Sequence, residues 1–241
     1  MFHQFLEGGA VSFGAVKRIG LIGGLSWEST LTYYSMFNRL TARVSDPWVQ
    51  PKLLIDSLNF KEIVDFQNAG DWQGSGRVLA DSARRLEAGG ASVLGIGANT
   101  MHVNYEDVVR AVSVPVVDIR DAIVTRLHEM KATSLSLLGT KYLMESDFYS
   151  AHLESRGITV VRPMAHEVQE VQDIIFDELT QGIVSDRSRH RFLEIADGCR
   201  ERGGTVVGLC CTEFGMFVNE TSAPWEFIDS TDAHVRALLA L

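Results

Sequence analysis

Short apolar runs alternate with longer amphipathic segments along most of this chain. Residues 18–24 (RIGLIGG) form a compact run of the kind that a strand buried on both faces requires. From 25 to 43, Trp27, Leu31, Tyr34, Phe37, Asn38 and Thr41 recur at roughly helical spacing, and Ser26 is placed to cap that helix. Residues 53–58 predict a second strand and 60–67 a short helix. Residues 78–88 predict an amphipathic helix stopped by Gly89-Gly90. Strands at 92–96 and 116–118 follow.

The pattern then restarts. Residues 133–139 (TSLSLLG) match the opening strand, and 140–155 read as helical. A strand is predicted at 159–161, with helices at 168–179 and 189–202, the second stopped by Gly203-Gly204. A last strand at 205–209 runs into Cys210-Cys211-Thr212-Glu213. Gly23 to Ala98 spans 75 positions and Gly139 to Cys211 spans 72, and each span closes with a helix, a Gly-Gly pair and a strand. The expected fold is α/β: two similar doubly wound parallel-sheet domains with the active site in the cleft between them. Residues 17–114 with 226–241 make the first domain, 115–225 the second, and the Gly-rich, aperiodic 1–16 a loose extension. The strand ends at 23–27, 57–60, 98–102, 139–142 and 211–214 would then surround one cleft.

Composition narrows the function classes. A 46% hydrophobic and 22% charged chain of 241 residues is long enough for real cores. A net charge of −9 without a Lys/Arg stripe argues against nucleic acid as a partner. The apolar runs fall well short of the ~20 residues of a membrane span, and the N-terminus lacks the basic region of a secretory signal. The odd cysteine count, Cys199, Cys210 and Cys211, does not make a disulfide framework. A cytoplasmic protein with reduced thiols is expected.

Cys211 is the strongest chemical candidate, because a strand end beside a helix N-terminus favours a thiolate, which is both nucleophile and base. The competing reading makes Cys210 and Cys211 small buried hydrophobes. Asn99 and Thr100 offer an amide and a hydroxyl at the matching turn of the first half, where such residues also serve as caps. His102 is read as a helix residue. The glycines at 20, 23 and 24 lack G-x-G-x-x-G spacing, His166-Glu167 lacks the second histidine of a zinc helix, and Gly139-Thr140-Lys141 lacks the upstream glycine of a phosphate loop. No metal or cofactor is implied.

Four ordered motifs carry a resemblance: IGLIGGLSWEST at 19–30, ANTMH at 98–102, GTKY at 139–142 with MESDFY at 144–149, and CTE at 211–213. From Lys17 onward the chain resembles the aspartate/glutamate racemase family. That resemblance implies two pseudo-symmetric α/β domains, an interdomain site, a homodimer, and α-proton exchange on an amino acid without pyridoxal phosphate or metal. In the family two cysteines usually face each other across the α-carbon. One matches Cys211; the other falls on Ala98, which cannot transfer a proton. The resemblance makes Cys211 and Thr100 the catalytic candidates. It implies substrate contacts from Leu25, Ser26, Gln67, Asn99, Thr140, Tyr142, Thr212 and Glu213. It also leaves room for a single-cysteine decarboxylase or isomerase of a carboxylic acid on the same scaffold, or for a non-catalytic carboxylate-binding protein.

Overall fold

A computed structural model describes residues 18–44, 48–218 and 225–241. The extension expected at 1–16 lies outside the described residues. In chain order the first half runs β1 (Arg18–Gly23), α1 (Trp27–Val44), β2 (Lys52–Ser57), α2 (Phe60–Ala69), α3 (Trp72–Ala88), β3 (Val93–Ile96), α4 (Tyr105–Ala111) and β4 (Val116–Val117). After α5 (Ile119–Glu129) come β5 (Ser134–Leu138), α6 (Lys141–Glu145), α7 (Asp147–Glu154), β6 (Thr159–Val161), α8 (Ala165–Asp173), α9 (Asp186–Glu201), β7 (Val206–Leu209), β8 (Phe227–Asp229) and α10 (Ser230–Ala240).

Two four-stranded sheets result, ordered β2-β1-β3-β4 and β6-β5-β7-β8. Every pairing is parallel; Ile19, for example, sits opposite Leu53 on one side and Val93 on the other. Strand composition follows position in the sheet. The inner strands β3, β5 and β7 are buried throughout and β1 from Ile19 onward, whereas edge strand β2 alternates between exposed and half-buried. In the first domain Ile22, Leu94 and Ile96 face Leu79, Ala83 and Leu86 of α3. On the opposite face Ile19, Leu21 and Val93 meet Tyr33 and Phe37 of α1. The second sheet is likewise covered on both faces, by α8 and α9 and by α5 and α7.

The two fourth strands interlock the halves. The sequence-based boundaries at 115 and 226 fall just before them: pairing puts β4 in the first sheet and β8 in the second. Each then leads into a helix that crosses over. Ile119, Ile123 and Leu127 of α5 pack on Leu135 and Leu137 of the second sheet, while Val235 and Leu238 of α10 pack on Ile19, Leu21 and Val93 of the first.

Some helices depart from the predicted ones. The segment 140–155 breaks at Ser146, which is extended with φ −92° and ψ 153°, so α6 and α7 are separate. The helix predicted over 168–179 begins at Ala165 as α8 and widens into a π-turn at Ile174–Glu178. That widening presses Ile175 and Phe176 toward the cleft.

Candidate active site

The β1 tip sets the first wall. Gly24 adopts φ +69°, and a Cβ there would lie 2.1 Å from the Leu58 carbonyl oxygen, so only glycine lets the chain turn this tightly. The turn delivers Leu25 and Ser26 to the cleft. Ser26 caps α1 as expected, its Oγ accepting from the Ser29 amide at 3.0 Å. From β3 the chain passes through Ala98 and Asn99 into a single 3-10 turn, Thr100–Asn104. From β5 it reaches Thr140, whose hydroxyl caps α6, and from β7 it reaches Cys211 and the turn Thr212–Met216. These ends surround a cleft of about 590 Å³, counted out to its open mouth.

All ten sequence-singled residues line this cleft. Cys211 Sγ donates to Glu213 Oε2 at 3.0 Å, and Thr212 Oγ1 donates to the same oxygen at 2.7 Å. Ser26 Oγ lies 3.1 Å from Glu213 Oε1 and 3.0 Å from Ser29 Oγ, so its one proton has two acceptors. Ser29 Oγ meets Thr212 Oγ1 at 2.5 Å, closing a hydroxyl chain between the domains. Thr100 and Thr140 form a second bridge at 2.8 Å. Tyr142 reaches across to Asn68 Oδ1 at 3.5 Å and stands edge-on to Trp72. Gln67 donates to Met101 Sδ at 3.2 Å.

The electrostatics correct one expectation. A strand-end position beside a helix N-terminus predicts a lowered thiol pKa for Cys211, but the structure pushes it well up. Burial is the largest cause, followed by the charge of Glu213 and the hydrogen bond to it, and the short Thr212–Met216 turn supplies too few aligned dipoles to compensate. The resting group is a protonated thiol with a carboxylate acceptor in contact. Cys210 is buried against the opposite side of β7 and pushed up to about 12, also by burial. Cys199 packs in the core of the second domain.

Asn99 is more constrained than its sequence position suggests. Its Oδ1 accepts from Tyr149 at 2.7 Å and its Nδ2 donates to Ser230 at 2.9 Å, which leaves one amide N–H unassigned. His102 is buried, and burial pulls its pKa down to about 4. Its Nε2 accepts from the Ile119 amide, so Nδ1 carries the proton and donates to the Ala98 carbonyl at 2.8 Å. It braces the turn that carries Ala98. Glu167 of the zinc-helix near-miss caps α8, accepting from the Met164 amide at 2.8 Å.

Sequence reasoning missed Ser29, Tyr149, Ser230 and the apolar wall of Ile175 and Phe176. The first three act through partners 50 to 183 positions away, and the wall depends on a π-turn that helical periodicity does not announce. Away from the cleft, Asp118, Asp121 and His152 bring ligand atoms within 4.8 Å of one another. The Arg120 guanidinium already holds Asp118 through both carboxylate oxygens, so a cation there would have to displace it. Among the described residues no helix is long and apolar enough to cross a membrane.

Comparison with known proteins agrees with this architecture. The family model for Asp/Glu/Hydantoin racemase matches residues 22–238. A proposed Asp/Glu racemase from Yersinia pestis superposes with a TM-score of 0.85 at 34% identity, covering 92% of this chain and 97% of that one. An aspartate racemase homologue from Pyrococcus horikoshii OT3 superposes with a TM-score of 0.82 at 36% identity, with the same coverage. The broad-specificity amino-acid racemase RacX of Bacillus subtilis is 29% identical over 99 residues, a match to 41% of this chain and 43% of that protein. With the family model spanning nearly the whole chain and both domains matched at over 30% identity, this protein belongs to the Asp/Glu/Hydantoin racemase family.

Proposed function

We propose that this protein is a cofactor-independent amino-acid racemase or epimerase in which Cys211 carries the proton-transfer chemistry. The observation that carries the reading is the contact between the Cys211 thiol and the Glu213 carboxylate in the interdomain cleft. As the substrate enters, Glu213 takes the thiol proton and leaves a thiolate at the α-carbon. The thiolate removes the α-proton, so the Cα–H bond breaks, an S–H bond forms, and the electron pair spreads into the carboxylate. A proton returned to the opposite face completes inversion. Ala98 supplies none there; Thr100, hydrogen-bonded across the cleft to Thr140, is the proposed donor, its O–H bond breaking as the new Cα–H bond forms and being restored by a solvent proton through Thr140, while Glu213 gives its proton back to solvent. The cytoplasmic location expected from the sequence and the homodimer that the resemblance implies are part of the same proposal.

A protonated thiol opposite an alanine also suits one-sided protonation of a planar intermediate, which is the chemistry of a single-cysteine decarboxylase of malonate-like acids. One experiment separates the readings. Purified protein is incubated in D₂O with single L- and D-amino acids, α-proton loss is followed by NMR and enantiomers by chiral chromatography. The racemase reading expects deuterium incorporation with inversion, reduced about 10²–10⁴-fold by Cys211→Ala. Exchange that survives Cys211→Ala refutes the role of the thiol. Carbon dioxide release from a malonate without amino-acid exchange establishes the second reading.

A further inference from the structure

Every racemisable amino acid brings an ammonium and an α-carboxylate to such a site; the side chain distinguishes one substrate from another. The cleft's lining holds the Glu213 carboxylate, the Thr100–Thr140 pair and Thr212. It also holds large apolar groups from both domains, Leu25, Phe60 and Met101 from the first and Ile175 and Phe176 from the second, beside the neutral polar side chains of Gln67, Tyr142 and Thr180. Among the described lining residues there is no lysine, arginine or histidine.

The cations next in sequence to the lining point elsewhere. Lys61 follows Phe60, yet its ammonium is held by both oxygens of Asp65, at 2.5 and 2.6 Å. Lys141 lies between Thr140 and Tyr142, yet its Nζ donates to Gln169 at 3.1 Å and sits 3.9 Å from Glu145. Arg191, facing α8 from α9, is taken by Glu170 and Glu194. One N–H of the buried Gln67 amide goes to the Met101 thioether. A second substrate carboxylate would therefore meet neutral donors and apolar groups but no cation among the described lining residues, in a site whose one charged side chain, Glu213, is already negative. Unpaired buried charge is the costliest thing a protein cleft can accommodate.

We infer that this cleft selects amino acids with uncharged, apolar side chains, of the leucine and methionine class, and discriminates against aspartate and glutamate. The inference rests on the amino-acid reading of the site but concerns its selectivity, and binding tests it separately from turnover. L-Leucine and L-aspartate are a matched pair, since both branch at Cγ and differ in methyls against carboxylate oxygens. Affinity is measured by titration calorimetry and α-proton exchange in D₂O on the same protein, for leucine, methionine, aspartate and glutamate.

The expected result is a kcat/KM for leucine exchange at least about 100-fold above that for aspartate, the scale on which sites reject a polar group they cannot pair. A cation placed in the lining by Thr180→Lys is expected to shrink that ratio by at least about tenfold, since it pairs the second carboxylate. Aspartate exchanging as fast as leucine overturns the inference and leaves the racemase reading standing. No exchange with any amino acid, but tighter calorimetric binding of leucine than aspartate, overturns the racemase reading and supports the selectivity. Tighter binding of aspartate, or no binding of either, overturns the inference whatever the turnover.

Discussion

Replacing Tyr149 with phenylalanine removes one oxygen from the seam between the domains. Tyr149 is fully buried, its hydroxyl donates to Asn99 Oδ1 at 2.7 Å, and the Asn99 amide continues to Ser230, whose own hydroxyl donates to the Leu209 carbonyl at 2.9 Å. The chain thus ties a helix of the second domain to the 98–100 turn of the first and back to the end of β7. Phenylalanine preserves the ring packing but removes the donor to the side-chain oxygen of Asn99, a residue only 5% exposed. Leaving a buried acceptor unpaired costs about 1–3 kcal/mol. For a chain of this length each kcal/mol moves Tm by about 2–4 °C, so a central cost of about 2 kcal/mol predicts a fall of about 4–8 °C. Calorimetric Tm and urea midpoints should agree on that loss. In an Asn99→Ala background the same change should cost at least about 0.5 kcal/mol less, because the stranded acceptor is gone. A Tyr149→Phe protein with unchanged Tm, or strict additivity with Asn99→Ala, would refute the account of the seam.

Glu213→Gln removes two of the four causes that hold the Cys211 thiol up, the charge and the carboxylate acceptor, leaving burial and Cys210; alkylation by iodoacetamide at pH 8 should be faster than in the unsubstituted protein, and a slower rate would contradict the electrostatic picture. Asp229 caps α10 through Oδ1, and burial chiefly raises its pKa from 3.8 to about 6. A raised carboxylate favours the fold fully below the unfolded pKa and loses that contribution as pH climbs through about 6. Asp229→Asn, which keeps a capping oxygen without the charge, should therefore gain up to about 3 kcal/mol at pH 7 and nothing below about pH 4; a gain independent of pH in paired denaturation curves would count against it. Gly24→Ala forces a Cβ against the Leu58 backbone at a positive φ; a loss of more than about 2 kcal/mol is expected, and a neutral outcome would mean the β1 tip is freer than this turn implies.

These perturbations share one design feature: the cleft is held by neutral hydroxyls and amides rather than by ion pairs. Ser26, Ser29, Thr212, Thr100 and Thr140 bridge the domains, and each can exchange its partner for a ligand oxygen at little cost. The buried Asp118–Arg120 ion pair instead sits outside the cleft, at the start of α5 where the chain crosses between domains. Arg120 also donates to the Phe148 carbonyl, so the crossover is clamped while the cleft stays exchangeable.

Local chemistry made much of this protein legible in the sequence. The strands β1, β3 and β7 stand out because a strand covered on both faces reads as a near-continuous apolar run, β5 (SLSLL) stands out as the restart of the opening pattern although two serines interrupt it, and Gly-Gly pairs punctuate the helices before β3 and β7. Strand ends in open parallel sheets are where ligands collect, so Ser26, Asn99, Thr140 and Cys211 could be placed around one cleft from alternation alone. The resemblance to racemases then supplied the chemistry, which alternation does not carry. Tertiary structure decided the rest. Two- and three-residue strands such as β4 and β8 carry too little pattern to announce their sheet: the sequence-based boundaries put 115–225 in the second domain and 226–241 in the first, and only pairing shows that β4 joins β3 and β8 joins β7. The thiol of Cys211 reads as activated from its neighbours in sequence, yet burial and the Glu213 carboxylate hold it protonated. Tyr149, Ser230 and the Ile175–Phe176 wall matter only through what they touch after folding. Backbone pattern is written in nearest neighbours, whereas dielectric, charge and hydrogen-bond partnership at a site depend on groups that folding alone brings together.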